Sequence, residues 1–221
     1  MHLKTALAAG VAALFASGAL AQQAATWAKA PSVADVAAAY PAKARAAGVG
    51  GVVNLTCTID YDAQPRQCYA LGEQPEGYGF AFAAKKLAEK MRWADSSRNG
   101  QEVRIPFVFD PKVANGAAVV TKPLWAAMPT PADFQASFPQ SANGVVDVRV
   151  VLSCTVAPDG ALGGCAVDRE DPPGQGYGQG ALAVASKFRV APWSLDNQPT
   201  IGAQLRLPIH YQLTPAPPPK G

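Results

Sequence analysis

The four cysteines are the residues whose type and spacing could do chemistry, and they form two pairs of equal spacing. Cys57 and Cys68 are eleven positions apart, and so are Cys154 and Cys165. Four thiols could bind zinc, but zinc ligands usually come in short-gap pairs, and redox catalysis usually needs Cys-x-x-Cys, which this sequence lacks. We therefore expect two local disulfides, each worth roughly 3 kcal/mol in the chain-entropy model.

Other candidates for catalysis or ligand binding are few. After the first 21 residues His210 is the only histidine, so a His-based hydrolase would have to be built around it, and we expect an ordinary surface residue instead. The glycine-rich stretch 174–180 lacks the Lys-Ser/Thr end of a phosphate loop, and Glu170 and Asp171 show no paired-carboxylate geometry. The sequence thus predicts no catalytic residue, no metal site and no cofactor.

The N-terminus indicates the cellular compartment. Residues 1–21 combine a short basic start, an uncharged stretch and a small-x-small site before Gln22, which is typical of a cleaved secretion signal. The uncharged stretch is shorter than the roughly 18 residues that a membrane-spanning helix needs. We expect a protein of the bacterial periplasm, where disulfides persist, without stable membrane insertion once the signal is cleaved; a retained inner-membrane anchor is the alternative. The formal net charge of +3 gives no indication of nucleic-acid binding.

The sequence around the cysteines repeats too, which predicts a duplicated unit. In the second copy apolar residues alternate with polar ones from Val146 to Val156, the pattern of a strand with one buried face. Asp159-Gly160 then favours a two-residue hairpin turn that sets Cys154 opposite Cys165. That turn makes the two cysteines a hydrogen-bonded pair, whereas a three-residue turn with a bulge would shift the register by one. In the first copy the turn at 62–65 lacks the glycine, so we expect a looser hairpin.

Each hairpin precedes an alanine-rich helix introduced by Gly-Tyr-Gly, at 77–79 and at 176–178. Apolar residues recur in these helices at helical spacing and should face the core: Phe80, Ala84, Leu87 and Met91, then Leu182, Ala185 and Phe188. Trp93 and Trp193, near the helix ends, are expected to pack rather than to bind ligands. A short helix capped by Ser32 or Asp35 should come before the first hairpin, and 129–139 match it in the second copy. Final strands are expected at 102–109 and 204–211.

The predicted organisation is α+β, with two tandem units of helix, strand, strand, helix and strand around a small antiparallel sheet. Residues 1–21 form the signal, 24–110 the first repeat, 111–122 a linker, 123–213 the second repeat and 214–221 a proline-rich tail.

Each copy resembles the C-terminal domain of TonB, the periplasmic end of an energy transducer in Gram-negative envelopes. The resemblance rests on Tyr40-Pro41 before the Gly-x-Val strand at 51–53, a hairpin turning at Asp-Gly, the glycine-led helix and a final strand with proline. It implies that the final strand offers its open edge to an extended segment of an outer-membrane receptor, which adds a strand to the sheet. The implied peptide-binding residues are Val103, Arg104, Ile105, Phe107, Leu205, Arg206, Leu207 and Ile209.

Two further expectations follow. Pro106 and Pro208 cannot donate to a ladder, which predicts edge strands with the prolines pointing outward. The family's transducers carry an uncleaved membrane helix and a long spacer, whereas this sequence has a predicted cleavage site and only a few residues before the first repeat. We therefore expect a non-catalytic protein that binds a protein or peptide partner in TonB-type envelope transport. The alternative is an interaction module, uncoupled from energy transduction, whose repeats pair with each other or form a homodimer.

Overall fold

The computed structural model describes residues 27–139 and 147–212, so the predicted signal segment and the proline-rich tail lie outside the described residues. The first half contains β1 (Trp27–Lys29), α1 (Val33–Ala39), α2 (Ala42–Ala47), β2 (Gly51–Ile59), β3 (Pro65–Gln74), α3 (Phe80–Ala88), β4 (Arg92–Trp93), a 3₁₀ helix (Ser96–Arg98) and β5 (Glu102–Phe109). The connecting segment contains α4 (Pro111–Ala114) and β6 (Val119–Val120). The second half contains β7 (Trp125–Ala127), α5 (Pro131–Ser137), β8 (Asp147–Val156), β9 (Leu162–Asp171), α6 (Tyr177–Ala185), β10 (Arg189–Val190) and β11 (Gln204–Gln212).

These elements form two main sheets with helices on one face, and the mixed content confirms the α+β prediction. The first sheet has the strand order β3-β2-β5 and the second has the order β6-β11-β8-β9. Two small sheets, β1-β4 and β10-β7, accompany them. The sequence did not predict these short strands, and it treated β6 as part of a linker.

The alternating residues of both central strands lie in the core, as predicted. Val53, Leu55 and Ile59 of β2 are fully buried, and so are Val148, Val150 and Leu152 of β8. The predicted helix stripe also packs inward, since Phe80, Ala84, Leu87 and Met91 are at most 1 % exposed. One continuous apolar cluster includes side chains from both halves.

Both predicted disulfides are present, Cys57–Cys68 and Cys154–Cys165, with Cα atoms 4.1 Å apart in each. Pro208 lies opposite Val151 in the ladder of β11 and β8, and this pair cannot be hydrogen-bonded because proline has no N–H. Hydrogen-bonded and non-bonded pairs alternate along an antiparallel ladder, so Leu205 and Cys154, three positions away, form a hydrogen-bonded pair. The backbone of Cys154 therefore faces β11, which makes the cysteines a non-hydrogen-bonded pair of β8 and β9. The hydrogen-bonded pair of a two-residue turn is therefore absent, and the alternative of a three-residue turn with a bulge is confirmed by the register shift between Ser153 and Thr155.

The second hairpin has the three-residue turn that was the alternative, since Ala157 N donates to the Ala161 carbonyl at 2.8 Å, and the first hairpin has a turn of the same length, closed by Asp60 N and the Gln64 carbonyl at 2.9 Å. In the second hairpin residues 157–161 connect the strands, and the Gly160 carbonyl accepts a hydrogen bond from Val190 N at 2.8 Å. In the first, residues 60–64 do the same, and the Ala63 carbonyl accepts from Trp93 N at 2.7 Å. The expectation of a looser first hairpin was wrong, because Asp60 Oδ1 accepts hydrogen bonds from two backbone amides of the turn.

The two alanine-rich helices begin at equivalent glycines, but not at those that the Gly-Tyr-Gly match suggested. α3 starts after Gly79, and α6 starts after Gly176 rather than Gly178. Glu73 in the first half and Glu170 in the second accept hydrogen bonds from backbone amides at these helix starts. The apparent motif match is thus displaced by two residues, and Glu170 caps the start of α6.

The short helices α1 and α5 share their capping. Ser32 caps α1 with Asp35, as predicted, and Thr130 caps α5 with Asp133 in the same capping-box geometry. Each aspartate also meets a lysine at the end of the alanine-rich helix: Lys90 Nζ lies 2.7 Å from Asp35 and Lys187 Nζ lies 3.8 Å from Asp133.

Direct contacts join the two halves. Val33 N donates to the Ile201 carbonyl at 2.9 Å, and Val108 N donates to the Asn197 carbonyl at 3.3 Å. The rings of Phe107 and Trp193 meet edge-on with centroids 5.3 Å apart. The second half therefore covers part of the outer side of β5.

Candidate peptide-binding edges

The final strand of the second half is not a free edge along its whole length. β6 pairs in parallel with the start of β11, Gln204 with Val119 and Leu205 with Val120. Gln204 N also donates to the Ala118 carbonyl at 2.8 Å. The expectation that β11 would be an edge strand therefore needs correction, because the segment interpreted as a linker adds a strand at its beginning.

The rest of β11 has backbone groups that point away from β8. Because Pro208 has no N–H to give to the ladder, it and the other even-numbered residues face away from β8, as the Gln204 contact also indicates. Within the described residues no strand pairs with this side of β11 after Leu205. The carbonyls of Arg206 and Pro208, and both backbone groups of His210, lie on this unpaired side.

A groove of about 550 Å³ runs beside this unpaired part of β11. Trp125 and Phe188 pack in its wall at a tilt of 56° with ring centroids 5.0 Å apart, and Phe134 packs edge-on against Tyr211 at 5.9 Å. Met128, 63 % exposed, lies at its rim. The groove thus offers apolar surface next to free backbone acceptors and a donor, the combination that an added β-strand uses.

The final strand of the first half is an edge strand, as predicted. β5 pairs only with β2 in its sheet, and Pro106 points its nitrogen away from β2, which the outward amide of Val108 supports. The Val108 amide already donates a hydrogen bond to the Asn197 carbonyl, whereas no described residue makes a backbone hydrogen bond to the outward groups of Arg104. A cleft of about 210 Å³ lies beside this edge.

The predicted site residues divide into two groups. The side chains of Val103, Ile105, Phe107, Leu205, Leu207 and Ile209 are buried, at most 7 % exposed, and their odd-numbered backbone groups face the neighbouring strand. Arg104 and Arg206 are exposed and have outward backbone groups. Peptide binding by these residues stays a prediction; outward backbone groups belong to the two arginines and also to Pro106, Pro208 and His210, which the predicted set did not include. The two prolines could have identified these positions from the sequence, because a proline in an edge strand faces outward and residues two positions away face the same side.

His210 makes one notable side-chain contact. Its Nε2 contacts the carboxylate of Asp147 at the end of β8. The hydrogen bond from His210 lowers the pKa of Asp147 below its usual value, although slight desolvation opposes the shift. Both side chains are about half exposed, so the pair is a surface contact.

The part of the chain that the structure describes contains no cluster of three or more histidine, cysteine or acidic residues placed to hold a metal ion. Within the described ranges, no helix has both the length and the apolar character of a membrane span.

A segment of the first half matches a known protein family. Residues 36–111 match the family model of the Gram-negative bacterial TonB protein C-terminal. The predicted resemblance is confirmed for this segment. It extends from α1 through β5 and includes the first disulfide.

An uncharacterized protein of Caulobacter vibrioides is 32 % identical to this chain over 63 residues. The aligned segment is 28 % of this chain and 63 % of that protein. The chain therefore spans less than two thirds of the length of this relative.

Proposed function

We propose that this protein is a non-catalytic periplasmic binder of extended peptide segments, acting in TonB-type envelope transport by strand addition to β11. Domains of the matched family are protein-interaction modules, which supports a protein or peptide partner. An outer-membrane receptor segment is the partner class that the family resemblance implies.

We also propose that the two halves are tandem copies of one TonB-like unit. The repeated disulfides, the capping boxes of α1 and α5 and the glutamate caps of α3 and α6 support this. A signal cleaved before Gln22 would deliver the protein to the periplasm.

The pairing of β6 with β11 is the observation that carries the proposal. β6 is already a strand added to this edge, with Val120 buried and Val119 exposed. The groove begins where β6 ends, because Thr121 lines it. A partner peptide would continue the line of β6, hydrogen-bond to the outward groups of Pro208 and His210, and set alternate side chains against Trp125 and Phe134.

The test exploits the outward amide of His210. His210→Pro removes this donor without removing a bond to β8, because Pro208 occupies the same face of the ladder. His210→Ala is the matched control, since it removes the imidazole and the Asp147 contact but keeps the amide. With the probe peptide acetyl-Thr-Val-Thr-Val-Thr-Val-amide, followed through the indole N–H signal of Trp125 by NMR, we expect His210→Pro to weaken binding roughly three- to tenfold.

His210→Ala should bind the probe within about twofold of the wild type. Equal affinity of the two variants, or no saturable response of Trp125, would contradict strand addition at this edge.

The second candidate function is a closed interaction module whose own segments cover its edges. The contacts of Asn197 with Val108 and of Ala118 with Gln204 favour it. It predicts that the amides of Arg104 and His210 exchange slowly without any partner, whereas peptide binding requires that they exchange quickly in the free protein.

A further inference from the structure

The cleft beside β5 differs in its chemistry from the groove beside β11. Trp27 and Trp93 line it from the first half, in edge-on contact with ring centroids 4.6 Å apart, and Trp193 lines it from the second half. Among the described residues that line the cleft, Arg104 is the only charged one. The cleft is therefore an aromatic site with a single cation at the edge of a sheet.

The edge of β5 is open at one end of this cleft and closed at the other. Arg104 and Pro106 have outward backbone groups with no backbone partner among the described residues, whereas the amide of Val108 already donates to Asn197. The loop that carries Asn197 is fixed by hydrogen bonds of Ser194 with Asp196 and Gln198. A strand added beside Arg104 cannot continue past Val108, so it must end in the cleft.

Charge decides which end of a peptide fits. Arg104 is exposed, and no described carboxylate lies within 4 Å of its guanidinium. A guanidinium binds a carboxylate through charge-assisted hydrogen bonds, whereas it repels a terminal ammonium. The carboxyl end of a peptide that runs parallel to β5 therefore complements this cleft.

We propose that the cleft binds the C-terminal residue of a partner peptide, with an aromatic side chain between the three indoles and the terminal carboxylate on Arg104. Aromatic rings pair favourably with one another in offset or edge-on contact, and the volume of about 210 Å³ suits one such residue. This site lies beside β5, where both halves line it, and it does not depend on the β11 groove.

The second half provides an internal comparison. Arg206 occupies the place of Arg104 before the proline, but its guanidinium lies 3.5 Å from Asp168. Val190 of β10 occupies the place of Trp93 of β4. The described lining of the second groove therefore lacks the unpaired cation and has one indole, Trp125, instead of three, which restricts carboxylate recognition to the cleft beside β5.

The experiment compares three probe peptides: acetyl-Val-Thr-Val-Phe with a free carboxylate, the same peptide as C-terminal amide, and the same peptide extended by two glycines. Binding is followed through the indole N–H signals, where Trp27, Trp93 and Trp193 report on the cleft and Trp125 reports on the β11 groove. We expect the free acid to shift the three cleft signals saturably and to bind at least tenfold more tightly than the amide. The extended peptide should bind as weakly as the amide, because its chain meets the Asn197 loop.

Arg104→Gln should reduce the affinity for the free acid to that for the amide, and Arg206→Gln is the matched control that should leave it unchanged. Equal binding of acid and amide overturns the inference without any variant, and so does an unchanged affinity in Arg104→Gln. A response confined to Trp125 also overturns it, while supporting the β11 site. The two proposals can therefore fail separately.

Discussion

Glu73 shows how a single side chain fixes the start of a helix. Its carboxylate accepts hydrogen bonds from the amides of Tyr78 and Gly79 at 2.8 Å and of Ala81 at 2.6 Å. Partial burial would raise the pKa of Glu73, but the hydrogen bonds from these backbone amides outweigh burial and lower it below the usual 4.5. The charged carboxylate therefore stabilises the folded state.

The sign of the pH dependence follows from this lowered pKa. The contribution of Glu73 is fully present above its ordinary pKa and is lost as the pH falls through the lower pKa of the folded state. Glu73→Gln should therefore lower the free energy of unfolding by about 0.5–1 kcal/mol at pH 7, and the difference from wild type should vanish in acid. Urea unfolding at stepwise lower pH measures this.

Glu76→Gln is the control, because Glu76 is exposed and makes no hydrogen bond among the described side chains. A loss in Glu73→Gln that persists unchanged at low pH would exclude the proposed role of the charge.

At this scale the sequence predicted what depends on local chemistry. Ser32 as a cap and the inward cysteines follow from neighbours along the chain. The role of Glu170 was missed because a hairpin end and a helix start meet only after folding. The outward residues Pro106 and Pro208 implied the parity of both strands, yet the odd-numbered residues were included in the predicted site.

Among the elements, the second hairpin depends on a close approach to β10. Gly160 has φ +78°, and a Cβ built there would lie 2.3 Å from the Val190 carbonyl oxygen. Gly160→Ala therefore adds both left-handed strain and a steric clash, and should destabilise the protein by about 2–4 kcal/mol. Chemical denaturation of the oxidised protein gives this value.

Gly164→Ala is the matched control, since this residue also has a positive φ of +56° but open space at its Cβ. This variant should lower the free energy of unfolding by only about 1 kcal/mol. Equal costs for the two variants would mean that contact with Val190 contributes nothing.

The strand and helix pattern was predictable from periodicity, and β5 lies where the sequence placed it. The choice between a two- and a three-residue turn was left open, because the local pattern does not reveal that Ala63 and Gly160 accept hydrogen bonds from β4 and β10, which are distant in sequence. The short strands that begin at Trp27 and Trp125 were not predicted either. Two or three residues carry no periodic signal, although both segments share Trp-Ala and a following proline.

In the whole molecule, Trp193 connects the halves. It is 6 % exposed and packs edge-on against Phe107 of the other half. Trp193→Ala should lower the free energy of unfolding by about 3–5 kcal/mol. It should also speed hydrogen exchange at the Val108 amide, because the acceptor of this amide, the Asn197 carbonyl, is in the same loop as Trp193. Native-state hydrogen exchange measures both effects.

Phe188→Ala is the comparison, since Phe188 is equally buried but packs on Trp125 within its own half. Its effect on the local opening of Val108 should be small. If the Val108 amide exchanges at the same rate in both variants, Trp193 does not hold the halves together.

The relative placement of the halves could not be predicted. Each half has its own periodic pattern, and nothing in these patterns specifies that Asn197 meets Val108 or that β6 meets β11. Both contacts lie at sheet edges, where backbone groups of any sequence can pair.

The positions of the two disulfides have a further consequence. Each bridge closes a hairpin within one half, and α4 and β6 lie between the bridges. A single proteolytic cut between Lys112 and Lys122 would therefore leave two fragments with no covalent link, even in an oxidising compartment. Any mechanical load across the cut protein would then be borne by the noncovalent interface.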